Sequence, residues 1–192
     1  MTKDANVYEL PKDLPIPVDD GACNHLVGTH LPSVPLMSTT GQVVDVSRLH
    51  GCTVVYCYPR TGRPDRTPPP GWNAIPGARG CTPESCALRD RFHDLQALGA
   101  QVFGLSTQDT TYQQEAVERL HLPFTLLSDA ELVFTNALRL PTFEFESMLL
   151  IKRLTLVIRE GRIEHVFYPI FPPDQHAEEV VSWLSEQQRM GQ

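Results

Sequence analysis

Gly80-Cys81-Thr82-Pro83-Glu84-Ser85-Cys86-Ala87-Leu88-Arg89-Asp90 is the stretch from which the rest of the chain is read. A helix start is written into it. Thr82 is a hydroxyl N-cap, Pro83 suits the first helical position because its missing N–H would be unpaired there, and Glu84 puts an acid in the first turn. Cys81 then lies beside a helix N-terminus. The positive end of the dipole and the unpaired N–H donors there favour thiolate over thiol. The thiolate is the reactive form, so the stretch points to thiol redox chemistry, with a second cysteine five positions on.

Upstream, Thr53-Val54-Val55-Tyr56-Cys57-Tyr58 is a β-branched and aromatic run of buried-strand type that stops at Pro59. Residues 60–80 change character. Arg60-Thr61-Gly62-Arg63-Pro64-Asp65-Arg66-Thr67-Pro68-Pro69-Pro70-Gly71-Trp72 carries loop signals throughout and runs into the cysteine motif. A structureless loop of this length is uncommon and often functional. Trp72 is read as pinning it to the body. Earlier still, Leu31–Leu36 and Gly41–Val46 read as a β-hairpin, and residues 1–20 as an extended, loosely held arm.

Downstream, Leu88, Phe92 and Leu95 recur at helical spacing, and Gly99 ends what reads as one helix from Cys81 onward. Gln101–Ser106 is a second buried strand, about Thr110 to Leu120 a helix, Phe124–Leu127 a short strand and Glu131–Leu138 a short helix. Leu154–Ile158 and Ile163–Tyr168 form a hairpin around Glu160-Gly161, and Asp174–Gln188 closes the chain as a helix. Met148–Ile151 reads as core or as a pocket wall. This order predicts an α/β protein with a mixed central sheet and helices on both faces, folded as one domain over residues 1–192.

Composition narrows the function classes. A hydrophobic share of 41% and a charged share of 20% fit a globular protein. A net charge of −7 without a Lys/Arg-rich face argues against nucleic acid as partner. No apolar run approaches the roughly 20 residues of a membrane helix. Met1–Asn6 has no apolar segment behind its charge, so no secretory signal is expected there. Five cysteines are an odd count for a disulfide framework; the expectation is a cytoplasmic protein with Cys23, Cys52 and Cys57 as free thiols. Cys81, Cys86 and His93 have no usual zinc spacing, and no metal or other cofactor is expected.

Four places, in order, carry a family resemblance: Tyr58-Pro59; Gly80-Cys81-Thr82 with Cys86 and Leu88-Arg89-Asp90; Leu122-Pro123-Phe124-Thr125-Leu126-Leu127-Ser128-Asp129; and Lys152-Arg153-Leu154-Thr155-Leu156-Val157-Ile158. From about Leu31 to Leu184 the chain resembles the peroxiredoxins, in particular the Q-type group with the bacterioferritin comigratory proteins. The resemblance implies a thioredoxin-like fold with an N-terminal β-hairpin extension. It also implies a thiol peroxidase acting on hydrogen peroxide and organic hydroperoxides. Cys81 would become a sulfenic acid, Cys86 would close a Cys81–Cys86 disulfide, and thioredoxin or a glutaredoxin-type dithiol would reduce it. Arg153 is the expected guanidinium beside the thiolate. Pro59 and Thr61 stand for the family's Pro and hydroxyl, which makes 60–80 an insertion; Thr82 and Ser85 are the other candidate hydroxyls. The resemblance permits monomer or homodimer.

Five residues of α-helix give about 7.5 Å of rise and a Cα separation of roughly 8–9 Å, beyond the limit of about 7 Å for a disulfide. Residues 82–86 are therefore expected to be helical when reduced and irregular when oxidised. Two other readings stay open. One is a thiol–disulfide electron carrier or redox sensor on the same fold, although such proteins usually use the closer Cys-x-x-Cys. The other is an interaction module built on Pro68-Pro69-Pro70.

Overall fold

The computed structural model describes residues 6–191. The first five residues, part of the stretch read above for a secretory signal, and Gln192 lie outside the described residues. Elements follow in chain order: β1 (Pro35–Ser38), β2 (Val43–Asp45), β3 (Cys52–Cys57), α1 (Cys81–Asp90), α2 (Phe92–Ala97), β4 (Ala100–Ser106) and α3 (Thr110–Leu120). Then come β5 (Thr125–Ser128), α4 (Val133–Leu138), β6 (Thr142–Phe145), β7 (Met148–Ile151), β8 (Leu154–Arg159), β9 (Arg162–Phe167) and α5 (His176–Met190).

Seven strands form one mixed sheet in the order β2-β1-β5-β4-β3-β8-β9. The β3–β4 and β4–β5 pairs are parallel; β3–β8, β8–β9, β1–β5 and β1–β2 are antiparallel. β3 lies near the middle, and all six of its residues are buried. That is why its sequence is a continuous apolar run rather than an alternation. Val54 and Tyr56 point into a cluster with Leu88 of α1, Leu95 of α2, Leu120 of α3 and Val180 of α5. Val55 and Cys57 point the other way, toward Phe134 and Leu138 of α4 and toward Leu26 and Leu31. Helices thus cover both faces, four on one and α4 with a loop segment on the other. Gly104 in β4 is required by close packing: a Cβ there would sit 2.4 Å from Leu126 Cδ2 and 2.8 Å from the Tyr56 ring.

Several local expectations are corrected. α1 begins at Cys81, one residue ahead of the hydroxyl cap read from Thr82; its N-cap is Gly80, at φ 109°. Gly is needed there, because a Cβ would also meet Pro173 Cγ at 2.4 Å and Leu10 Cδ2 at 2.9 Å. The helix read as continuous to Gly99 breaks at Arg91, which adopts φ −101°, ψ 6° between α1 and α2. No Gly or Pro marks that break. β6 and β7 form a separate two-stranded hairpin that sequence patterning missed. Its turn places Glu146 and Ser147 at positive φ (47° and 65°), and neither is a residue that signals such a turn.

Residues 6–20 hold no strand or helix, yet the segment is anchored. Val7 is buried, Leu10 abuts the Gly80 cap, and the Asp20 carboxylate accepts from Lys152 Nζ and Tyr168 Oη, both at 2.8 Å. Between residues 60 and 80 the only regular element is a short 3-10 turn at Trp72–Ala74. Trp72 is buried, with its ring centroid 5.1 Å from Phe145 and 6.2 Å from Phe143. The Pro-rich segment is therefore pinned to the β6–β7 hairpin, as the tryptophan suggested.

Candidate active site

Cys81 opens α1, and Glu84 lies three residues on along the same helical face. Arg153 follows β7 and precedes β8, where the sheet carries it beneath α1. Its Nη2 donates to Cys81 Sγ at 3.2 Å, and its Nη1 pairs with Glu84 Oε2. The side chains of Arg153 and Glu84 are 2% and 0% exposed, so this is a thoroughly desolvated thiol–guanidinium–carboxylate group. Nη2 also reaches the Ala78 and Arg79 carbonyls at 3.4 and 3.3 Å, which ties the end of the 60–80 loop to the same cation.

The electrostatics differ from the sequence expectation of a favoured thiolate. Burial pushes the Cys81 thiol above its ordinary value. The Arg153 charge is the strongest opposing influence, the Glu84 charge adds to the rise, and a hydrogen bond from the Arg60 backbone N–H favours the anion. The physical reason is the exclusion of water, and the one guanidinium that opposes it is shared between the sulfur and a carboxylate. Burial also raises Glu84, against Arg153 and His176. Burial works against the charge on Arg153, but Glu84 and Cys81 hold it above its ordinary value.

A cavity of about 230 Å³ opens over the sulfur. Cys81, Thr82 and Thr61 line it together with Arg60, Arg79 and Tyr112. Thr61 is buried; its N–H and hydroxyl both donate to Gln108 Oε1, at 3.0 and 3.2 Å, while Tyr112 Oη donates to its carbonyl at 3.1 Å. Pro59 is buried behind this wall and does not line the cavity. Arg153 reaches the sulfur from the protein side and borders a different groove, with Pro169 and Ile170.

Cys86 is half-buried on α1, and burial raises its thiol against the opposing charge of Arg89. Both cysteines are free thiols, and the helix between them is unbroken. Ser85 hydrogen-bonds Tyr56 Oη at 3.1 Å inside the core and is absent from the cavity wall. Cys23, Cys52 and Cys57 are buried free thiols, each raised by burial. Among the described residues no three His, Cys, Asp or Glu side chains gather as metal ligands, and no helix is long and apolar enough to cross a membrane.

Sequence reasoning missed four contributors. Glu84 was read only as a first-turn acid, although its i+3 spacing from Cys81 was a usable signal. Arg60 follows Pro59 directly. Gln108 and Tyr112 arrive from the β4–α3 connection and from α3, and no local pattern announces them.

A family model described as Redoxin matches residues 26–181, which includes every residue of this group. The chain belongs to the redoxin family. Within it, the chain is similar to the chloroplastic peroxiredoxin Q of Oryza sativa subsp. japonica, 31% identical over 159 residues, covering 82% of this chain and 65% of the relative. It is also similar to the peroxiredoxin Bcp of Escherichia coli strain K12, 30% identical over 164 residues, covering 83% of this chain and 95% of that one. The match spans somewhat under two thirds of the rice relative's length. The crystal structure of peroxidoxin BcpB from Mycobacterium tuberculosis superposes with a TM-score of 0.68 at 24% identity, over 84% of this chain and 98% of that one. The redoxin scaffold accounts for the thioredoxin-like sheet.

Proposed function

We propose that this redoxin is a thiol peroxidase in which Cys81 is the peroxidatic residue. The observation that carries the proposal is the Cys81 sulfur, 3.2 Å from a buried guanidinium and facing a cavity large enough for a hydroperoxide. Cys81 thiolate attacks the distal peroxide oxygen. The O–O bond breaks, the leaving oxygen takes the bonding pair and a proton to give water or an alcohol, and sulfur is oxidised by two electrons to sulfenic acid. Arg153 stabilises the anionic sulfur and the charge that builds up on oxygen. Thr61 holds lone pairs toward the cavity that accept from the peroxide O–H, and Pro59 shapes the turn that delivers it. Cys86 thiolate then attacks the sulfenic sulfur, expelling hydroxide that leaves as water, and a Cys81–Cys86 disulfide forms. A dithiol protein, thioredoxin or a glutaredoxin-type reductant, restores both thiols by exchange. The unit acts as one domain, residues 1–192, as a monomer or a homodimer, in the cytoplasm, whose reducing conditions suit five thiols.

The test is one equivalent of hydrogen peroxide added to reduced protein, followed by thiol counting and disulfide mapping. Loss of two thiols with a Cys81–Cys86 link is expected, and Cys81→Ser should lose peroxide consumption altogether. A Cys81→Ser protein that consumes peroxide at the parent rate overturns the proposal.

A further inference from the structure

The cavity over Cys81 is lined by four arginines, Arg60, Arg63, Arg66 and Arg79, in a chain whose net charge is −7. None of them is the guanidinium that contacts the sulfur. Arg63 is neutralised by Asp65 at 3.0 Å, and Arg79 Nη2 is held by the Asn6 carbonyl. Arg60 and Arg66 form no ion pair with any carboxylate among the described residues. The Arg60 guanidinium stands 5.7 Å over the Tyr112 ring, and Arg66 sits on the exposed insertion. Among the described residues the wall carries one acid, Glu146, against the two arginines, Arg60 and Arg66, that no carboxylate pairs, so its described lining is net positive while the molecule is net negative.

The cavity also has an apolar side, made by Val7, Pro68, Pro69 and the buried Trp72. Its volume of about 230 Å³ is several times the roughly 30 Å³ that one water occupies in the liquid, so hydrogen peroxide alone leaves it largely unfilled. Uncompensated guanidiniums beside an apolar wall and a reactive sulfur match a ligand with three parts: a hydroperoxide, a compact hydrocarbon body and an anionic end.

We infer that the preferred substrate class is a compact organic hydroperoxide bearing a carboxylate, with Arg60 and Arg66 binding the carboxylate while the O–O group meets Cys81. This rests on the peroxidase reading above. Electron balance is unchanged: sulfur gains the distal oxygen, and the carboxylate-bearing alcohol leaves. The insertion then has a physical role, because it supplies both Arg66 and the apolar wall, and it places positive charge where a negatively charged molecule would otherwise repel the substrate.

The matched probes are para-carboxy cumene hydroperoxide and its methyl ester, with hydrogen peroxide alongside. The acid should be reduced with a kcat/KM about tenfold or more above the ester at low ionic strength, and the ratio should shrink as salt rises. Combined Arg60→Gln and Arg66→Gln should bring the ratio near unity, and Arg66→Lys should retain part of it. Far-ultraviolet circular dichroism and a thermal melt of each variant report whether it is folded; if the double variant is not, the parent's ratio and salt dependence decide. Hydrogen peroxide consumed but acid and ester reduced alike, or a preference untouched by the double variant, overturns this inference alone. No consumption of any peroxide overturns it together with the peroxidase reading.

Discussion

At the scale of single residues, the site is governed by how one guanidinium divides its charge. Arg153 contacts both the Cys81 sulfur and the Glu84 carboxylate, and burial holds the thiol above its ordinary value despite that contact. Glu84→Gln removes a negative charge that works against the thiolate. The pH midpoint for Cys81 alkylation should therefore fall in Glu84→Gln, as followed by rate against pH with a small alkylating reagent. The same substitution leaves Arg153 buried without its carboxylate, a loss of about 3 kcal/mol or more for a broken buried pair, readable by denaturant melts. A midpoint that stays in place or rises would show that Glu84 does not set the thiol's protonation. The residue scale is also where the sequence was most legible. Cys81 and Cys86 stood out by type and spacing and Arg153 by the family resemblance, whereas the net direction of the thiol shift did not stand out, because it depends on how completely the fold excludes water.

At the scale of elements, α1 carries the strongest consequence. It runs without interruption from Cys81 to Asp90 with both thiols free. A disulfide between residues five apart cannot close on an intact helix, for the rise and rotation leave their Cα atoms roughly 8–9 Å apart. On oxidation to the proposed Cys81–Cys86 disulfide, the amides of Glu84, Ser85 and Cys86 should lose hydrogen-exchange protection while α3 and α5 keep theirs. Equal protection of that turn in the reduced and oxidised proteins would mean that the bond forms elsewhere. The long strands and amphipathic helices were legible, since a 3.6-residue or continuous apolar pattern survives any tertiary arrangement. The break at Arg91 and the β6–β7 hairpin were not. Their backbone conformations are imposed at residues without local preference for them, by the packing of Trp72 against Phe143 and Phe145 in the hairpin's case.

At the scale of the whole molecule, the N-terminal segment and the 60–80 loop meet at the site. Residues 6–20 cross from the Gly80 cap to the loop before β8, where Asp20 binds Lys152, the neighbour of Arg153. Hydrogen bonds from Lys152 and Tyr168 lower the Asp20 carboxyl from 3.8 to about 2. A depressed carboxyl stabilises the fold above its unfolded value, and that contribution is withdrawn as pH falls through the folded one. The melting-temperature gap between the parent and Asp20→Asn should thus be constant above pH 4 and narrow from there toward about 2. A gap that stays constant across this window would show that the arm is not anchored by the ionised carboxylate.

The sequence by itself determined the α/β class with its mixed sheet, because that depends on periodicity along the chain, and it marked Cys81 and Cys86 by type and spacing and Arg153 by family resemblance as the candidate site. Tertiary structure alone decided that Glu84 shares Arg153 with the sulfur, that Thr61 is held by Gln108 and Tyr112, and that the arginines of the 60–80 loop turn toward one cavity. Each of those pairs joins residues separated by tens of positions, or depends on the degree of burial. Water exclusion and long-range contact are properties of the packed molecule, and no local pattern encodes them.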